Sequence, residues 1–256
     1  MGPELSFEDR VVLVTGGTRG IGRGIAERFL AAGATVHVCS RKPVEQLPAA
    51  EGRQAQHHAC DLREPAAVEA LMDAIIAASG RLDVVINNAG GSPWAEAATA
   101  SPRFSEKIIA LNLLAPLYVS QQAHRVMTPN GGGAIVNIAS VSGVRPSPGT
   151  AAYGAAKAGL LNLTQTLGVE WAGVGIRVNA IVCGLVETEQ TAMHYGDAEG
   201  VARVAATVPM GRMATPGDVG NACLFLAHPL SGYVTGAALE LHGGGEWPAF
   251  LAAART

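Results

Sequence analysis

Apolar and polar positions follow two periods along this chain, and each switch between them marks an element. Val11-Val12-Leu13-Val14 is an unbroken apolar run, the pattern of a short strand buried on both faces. Ile21, Ile25 and Phe29 then recur at helical spacing up to Gly33, a residue suited to the left-handed turn that closes a helix. The same grammar repeats downstream. Strands are predicted over 35–39, 57–60 (weakly), 83–90, 134–140, 176–182 and 237–241. Helices are predicted over 65–79, 104–127, 151–172 and 216–227. The first of these carries the stripe Val68, Leu71, Met72, Ile75 and Ile76, with Pro65 in its first turn. Pro116 interrupts the second, and because proline has no N–H the carbonyl of Asn112 loses its helical donor. A polar, proline-marked loop follows Lys42. The stretch 184–213 lacks strong periodicity and is too long for a plain connection, so it reads as a partly helical lid.

Strand and helix alternate throughout, and parallel crossovers are right-handed. The predicted fold class is therefore α/β, a single doubly wound parallel sheet of Rossmann type with helices on both faces. Nothing punctuates the 256 residues into two units, so 1–256 reads as a single domain.

Composition adds exclusions. Hydrophobic residues make up 48% and charged residues 15%, which fits a surface partly covered by other subunits and equally an Ala- and Gly-rich composition. A net charge of -3 without a basic stripe argues against a nucleic-acid partner. Cys39, Cys60, Cys183 and Cys223 lack metal-ligand spacing and sit in or beside apolar runs, so they read as free buried thiols. His57-His58 has the look of a metal site but no carboxylate or thiol at regular spacing, and no metal is expected. Residues 1–10 lack the apolar core of a signal peptide and no run reaches the length of a membrane span, so the protein is expected in the cytoplasm without a membrane partner.

Chemistry concentrates where strands end. Gly16, Gly17, Gly20 and Gly22 follow the first strand and keep side chains away from the backbone, so that N–H groups and a helix N-terminus can approach a phosphate. That is the pattern of a dinucleotide-binding turn, and also of an ordinary glycine-rich loop. Asp61 and Leu62 stand at the end of the third strand, where open α/β sheets bind ligands. Ser40 occupies the end of the second strand, where an acidic residue would bind a ribose 2′-OH; Arg41 follows it and Arg19 lies inside the glycine turn. Two arginines flanking a missing acid suit a 2′-phosphate, hence NADP(H) preferred with NAD(H) possible. Tyr153 and Lys157 are four apart, on one face of a helix, and Ser140 ends a strand thirteen residues earlier. Asn87, Asn88, Ala89 and Gly90 end the fourth strand, as a turn signal or as amides that tie the sheet together beside a cofactor.

In this order and at these spacings the residues resemble the short-chain dehydrogenase/reductase family across essentially the whole chain, with 3-oxoacyl-thioester reductases the most general likeness. The resemblance implies hydride exchange between a nicotinamide and a carbonyl or alcohol, with Tyr153 as acid/base. Lys157 would favour the phenolate and hold the nicotinamide ribose, Ser140 would bond the substrate oxygen, and Asn112 would hold a water linking Lys157 to solvent. It also implies that Gly16, Thr18, Arg19, Gly20, Ile21, Gly22, Ser40, Arg41, Asp61, Leu62, Asn88, Ala89, Gly90, Val186 and Thr188 bind the cofactor, with Asp61 and Leu62 at the adenine and Thr188 at the nicotinamide end. The substrate is a small carbonyl or alcohol, a 3-oxoacyl thioester or a steroid or secondary alcohol, met by 91–94, 141–150 and 185–213, where Met193, His194 and Tyr195 either touch it or cover the lid. A homotetramer, or homodimer, is implied, built through the two long helices and the last strand, with the apolar tail 247–251 at an interface. Two positions depart from the family: Cys183-Gly184 stands for Pro-Gly, and His242-Gly243-Gly244 for Asp-Gly-Gly. The rival readings are an NAD-dependent alcohol dehydrogenase of the same family and a non-catalytic dinucleotide sensor.

Overall fold

The computed structural model describes residues 5–189, 191 and 195–246. Its main sheet contains β1 (Val11–Thr15), β2 (Thr35–Ser40), β3 (Gln56–Ala59), β4 (Val84–Asn87), β5 (Gly133–Ser140), β6 (Ile176–Cys183) and β7 (Ala238–Leu241). The strand order is β3-β2-β1-β4-β5-β6-β7, and every neighbouring pair is parallel. Sheet growth reverses between β1 and β4, which opens a crevice at their C-terminal ends.

The helices named below are α1 (Gly20–Ala31), α2 (Pro65–Ser79), α3 (Pro102–Ile109), α4 (Ala115–Met127), α5 (Ala151–Glu170), α6 (Ala198–Ala205) and α7 (Pro216–Ala227). Ile25 and Phe29 of α1 and Val219 and Cys223 of α7 pack with Val12, Val14, Val36 and Val38 on one face. Val68, Leu71, Met72 and Ile75 of α2 and Val119 and Ala123 of α4 pack with Val11, Leu13, Val85 and Ile135 on the other. Alternate residues of a strand point to opposite faces, so the unbroken apolar runs feed both layers.

The elements depart from the periodicity in four places. The third strand begins at Gln56 and ends at Ala59. The fourth stops at Asn87, because Asn88 turns its side chain back to the carbonyls of Thr15 and Gly16. The loop after Lys42 contains a two-residue antiparallel ribbon, Ala49–Ala50 against Arg53–Gln54. The predicted helix 104–127 is α3 and α4 joined by a π turn, Ala110–Leu114, in which the Ala115 N–H donates to the Ala110 carbonyl. A proline at 116 cannot complete the α-helical ladder, and the wider turn absorbs the missing donor.

Within 184–213, Val186 forms a parallel bridge with Ala214, and the Glu187 and Ala214 amides donate to Ala214 and Leu185 at 2.8 and 2.9 Å. The base of the segment is thus closed, and α6 lies within it. Met193, His194 and the tail 247–251 lie outside the described residues. Among the described residues no helix is long and apolar enough to cross a membrane.

Candidate active site

The glycine turn links β1 to α1. Gly16 has φ +62°, and a Cβ on Gly22 would stand 2.4 Å from both the Gly16 carbonyl oxygen and Asn88 Nδ2, so neither position accepts a side chain without rearrangement. Asn88 fixes the turn: its backbone N–H donates to Thr15 Oγ1 at 2.9 Å and its amide to the Thr15 carbonyl at 2.9 Å. The first amide of α1 is left facing a cleft. There the Gly20 N–H donates to Glu189 Oε1 at 3.0 Å. A carboxylate rests at the point where the helix dipole and free amides favour an anion. No periodic signal announces Glu189, since this contact joins residues 169 apart.

One cleft of about 500 Å3 runs from this turn across the ends of the strands. The turn contributes Gly16, Thr18, Arg19, Gly20, Ile21 and Gly22, and the next two strand ends contribute Ser40, Arg41, Asp61 and Leu62. Asn88, Ala89 and Gly90 form its floor, Ser140, Tyr153 and Lys157 its far end, and Val186, Thr188 and Tyr195 its lid side. A glycine-cut cradle at one end and an acid/base pair at the other fit an extended dinucleotide with its reactive ring at Tyr153.

Ser40 Oγ donates to the Lys42 carbonyl at 2.7 Å and lies 2.8 Å from His57 Nε2. Asp61 is gripped by Arg63: Oδ1 accepts from the Arg63 backbone N–H at 3.2 Å and from Nε at 2.9 Å, and Oδ2 from Nη2 at 2.5 Å. The Arg63 hydrogen bond holds the Asp61 carboxyl down to about 2. Arg63 lines the same cleft and was absent from the residues singled out by sequence.

At the far end Lys157 is buried, its Nζ donating to the Ile138 carbonyl at 2.7 Å and standing 5.6 Å from the centroid of the Tyr153 ring. Burial pulls the ammonium down to about 8. Burial also raises the Tyr153 phenol, against a hydrogen bond from Ser140 that favours its ionised form. Asn112 does not line the cleft. Its Oδ1 accepts from the Gly91 N–H at 2.9 Å and its Nδ2 donates to the Gly91 carbonyl at 3.0 Å and the Ile108 carbonyl at 2.9 Å. The side chain thereby holds the Gly91 backbone. The site here requires glycine: a Cβ on Gly90 would stand 2.5 Å from Asn112 Oδ1 and 3.4 Å from Lys157 Nζ.

Behind this end runs a buried polar chain. Asn87 Nδ2 donates to Asn137 Oδ1 at 2.8 Å, and Asn137 Nδ2 to Thr164 Oγ1 at 2.9 Å. It joins β4, β5 and α5, the helix that carries Tyr153 and Lys157. The two departures from the family pattern touch one another. Cys183 lines the cleft in register with Ser140, and a Cβ on Gly184 would meet that of His242 at 2.7 Å. The four cysteines are free and buried. The adjacent histidines point apart, as strand alternation requires: His57 to Ser40, and His58 Nε2 to His37 Nδ1 at 2.9 Å.

Comparison with known proteins agrees with this architecture. A family model described as enoyl-(acyl carrier protein) reductase matches residues 16–246. The chain is 35% identical over 246 residues to a tropinone reductase homolog of Arabidopsis thaliana, covering 93% of each chain. It is 34% identical over 242 residues to the 3-oxoacyl-[acyl-carrier-protein] reductase of Escherichia coli K12, covering 94% of this chain and 98% of that one. A solved short-chain type dehydrogenase/reductase from Mycobacterium ulcerans superimposes with a TM-score of 0.86 at 32% identity, covering 93% of this chain and 90% of the other. The chain belongs to the short-chain dehydrogenase/reductase family of oxidoreductases.

Proposed function

We propose that this protein is an NADP(H)-preferring oxidoreductase that interconverts a carbonyl and a secondary alcohol, with Tyr153 as the acid/base. The observation that carries the reading is the meeting of Ser140, Tyr153 and Lys157 at the end of the cleft that begins at the glycine turn. When bound, the nicotinamide supplies or accepts the hydride. Tyr153 gives the carbonyl oxygen its proton in reduction and removes it in oxidation. Ser140 bonds that oxygen as charge develops and, as it does for Tyr153 here, favours the ionised phenol. Lys157 supplies a fixed positive charge against the phenolate, and Asn112 acts as a positioning residue by holding Gly91.

Arg19 and Arg41 line the adenosine end and, among the described residues, neither guanidinium makes a hydrogen bond or close ion pair, although the Arg41 charge acts on Asp61; no carboxylate stands at Ser40 to repel a 2′-phosphate. Charged hydrogen bonds contribute roughly 1.5–3 kcal/mol, so one retained contact favours NADP by about ten-fold or more. NAD is the second reading, supported by Ser40: its proton is committed to the Lys42 carbonyl, which leaves it an acceptor for a ribose 2′-OH. Comparing kcat/KM for NADPH and NADH decides between them. We expect NADPH to lead by about ten-fold or more, and Ser40→Asp to move the ratio toward NADH. Equal efficiency with both cofactors contradicts the preference.

The substrate proposed is a 3-oxoacyl thioester or a steroid or secondary alcohol, the first in keeping with the 3-oxoacyl-[acyl-carrier-protein] reductase named above. Residues 1–256 work as one cytoplasmic catalytic domain whose segment 184–213 is the lid. The assembly is a tetramer, or a dimer, built through the long helices 104–127 and 151–172 and the last strand β7, near which Leu230, Tyr233 and Leu239 are exposed apolar side chains.

A further inference from the structure

The C-terminal ends of β1, β2 and β3 lie side by side, and each hands an arginine to the same cleft: Arg19, Arg41 and Arg63. The third differs from the other two in being held. Asp61 takes Nε and Nη2 of its guanidinium in a two-pronged pair, and the Arg63 backbone N–H binds the same carboxylate. Such a pair uses one edge of the planar fork and leaves Nη1 and the outer N–H of Nη2 as donors. Among the described residues no other acceptor takes them. The two side chains are 29% and 30% exposed, so the fork is shielded enough to stay fixed and open enough to meet a ligand. The Cys60 amide donates to the Ser40 carbonyl at 3.0 Å, which puts the turn carrying Asp61 and Arg63 directly against the end of β2, where Arg41 begins. Three guanidinium charges against the Asp61 and Glu189 carboxylates of the same cleft leave a local excess of one, a field that favours a phosphate monoester. Glu64, beside Arg63, is exposed to solvent and offsets this less.

We infer that Arg63 is a specificity-determining residue for the cofactor, a preset fork that Asp61 aims at the 2′-phosphate of NADP alongside Arg19 and Arg41. This rests on the NADP reading above and extends it by a residue outside the glycine turn and the second strand. It assigns Asp61 a further task, since the carboxylate fixes a phosphate-reading cation.

The test is the binding of two fragments, 2′,5′-ADP and 5′-AMP, measured by calorimetry on the full chain as wild type, Arg63→Ala and Arg63→Lys. Losing a charged hydrogen bond to phosphate corresponds to about 10-fold or more in affinity, so Arg63→Ala is expected to weaken 2′,5′-ADP by at least about that factor and 5′-AMP by less than about 2-fold. Arg63→Lys keeps the charge and loses the fork, and is expected to fall between. Equal losses for both fragments would overturn the inference in favour of an adenine-stacking or purely structural role. No loss for either would overturn it outright. If wild-type protein binds both fragments equally, the NADP preference itself fails; if wild type favours 2′,5′-ADP and Arg63→Ala keeps that ratio, only the role of Arg63 fails.

Discussion

At the scale of single residues the site works through burial. Lys157 is buried with one carbonyl partner, and loss of water brings its ammonium down to about 8. A base with a lowered pKa is charged below that value and neutral above it. In the proposed reduction the charge would be needed as Tyr153 gives up its proton, and the phenol itself, raised by burial, stays protonated past that pH. We expect kcat/KM with NADPH as the varied substrate, which reports groups of the free enzyme, to be level on the acid side and to fall as pH rises through about 8. The decline should approach about ten-fold per pH unit. Lys157→Arg, whose charge does not titrate in this range, should lose that alkaline limb in whatever activity it retains. A limb that begins only above the ordinary phenol range would assign the fall to Tyr153 instead.

At the scale of elements, the strands and helices were legible because a parallel sheet buries both faces of its strands and leaves unbroken valine and isoleucine runs. The glycine turn, Ser140 and the Tyr153/Lys157 pair were legible as fixed spacings. What escaped the sequence is contact between distant segments. Glu189 on the Gly20 amide, Asn112 on Gly91 and His37 against His58 each join parts of the chain whose meeting only the folded topology decides. Arg63 escaped because a polar residue just past a strand end belongs to no period. The π turn at Ala110–Leu114 escaped because Pro116 signals a break but not how the backbone absorbs it. Glu189 has a consequence for the lid. Its carboxylate rests on the Gly20 amide, so a cofactor phosphate bound at the glycine turn as proposed would compete with this contact for one donor. Glu189→Gln removes the charge and keeps the size. We expect it to tighten NADPH by about 2- to 5-fold, the range of a weak charge–dipole contact at a helix end. Titration of the cofactor's fluorescence checks this, and weaker binding in the variant would show that Glu189 supports the cofactor instead of competing with it.

At the scale of the whole molecule, the C-terminal ends of one sheet's strands gather the glycine turn, Arg19, Arg41 and Arg63, and the Tyr153/Lys157 pair in one cleft, while the edge strand β7 and the segment before it expose Leu239, Leu230 and Tyr233. Solvated monomers seldom leave such a patch bare. Light scattering at micromolar concentration is expected to give about four times the 26.2 kDa chain mass. Tyr233→Glu, placing charge on that patch, should shift the population toward smaller species. A single-chain mass in the wild type would remove the assembly proposal and leave the chemistry untouched.

The proposed chemistry is hydride transfer to a carbonyl with Tyr153 as its proton donor. NADPH oxidation against a panel of 3-oxoacyl thioesters, steroid ketones and simple ketones, run with wild type and Tyr153→Phe, tests it most directly when NADPH binding is measured on both. The wild type is expected to turn over at least one ketone, the variant to lose about 10²-fold or more, and NADPH affinity to stay within about 2-fold between them. A variant that keeps most of its turnover, or a wild type that binds NADPH and reduces nothing, would contradict it.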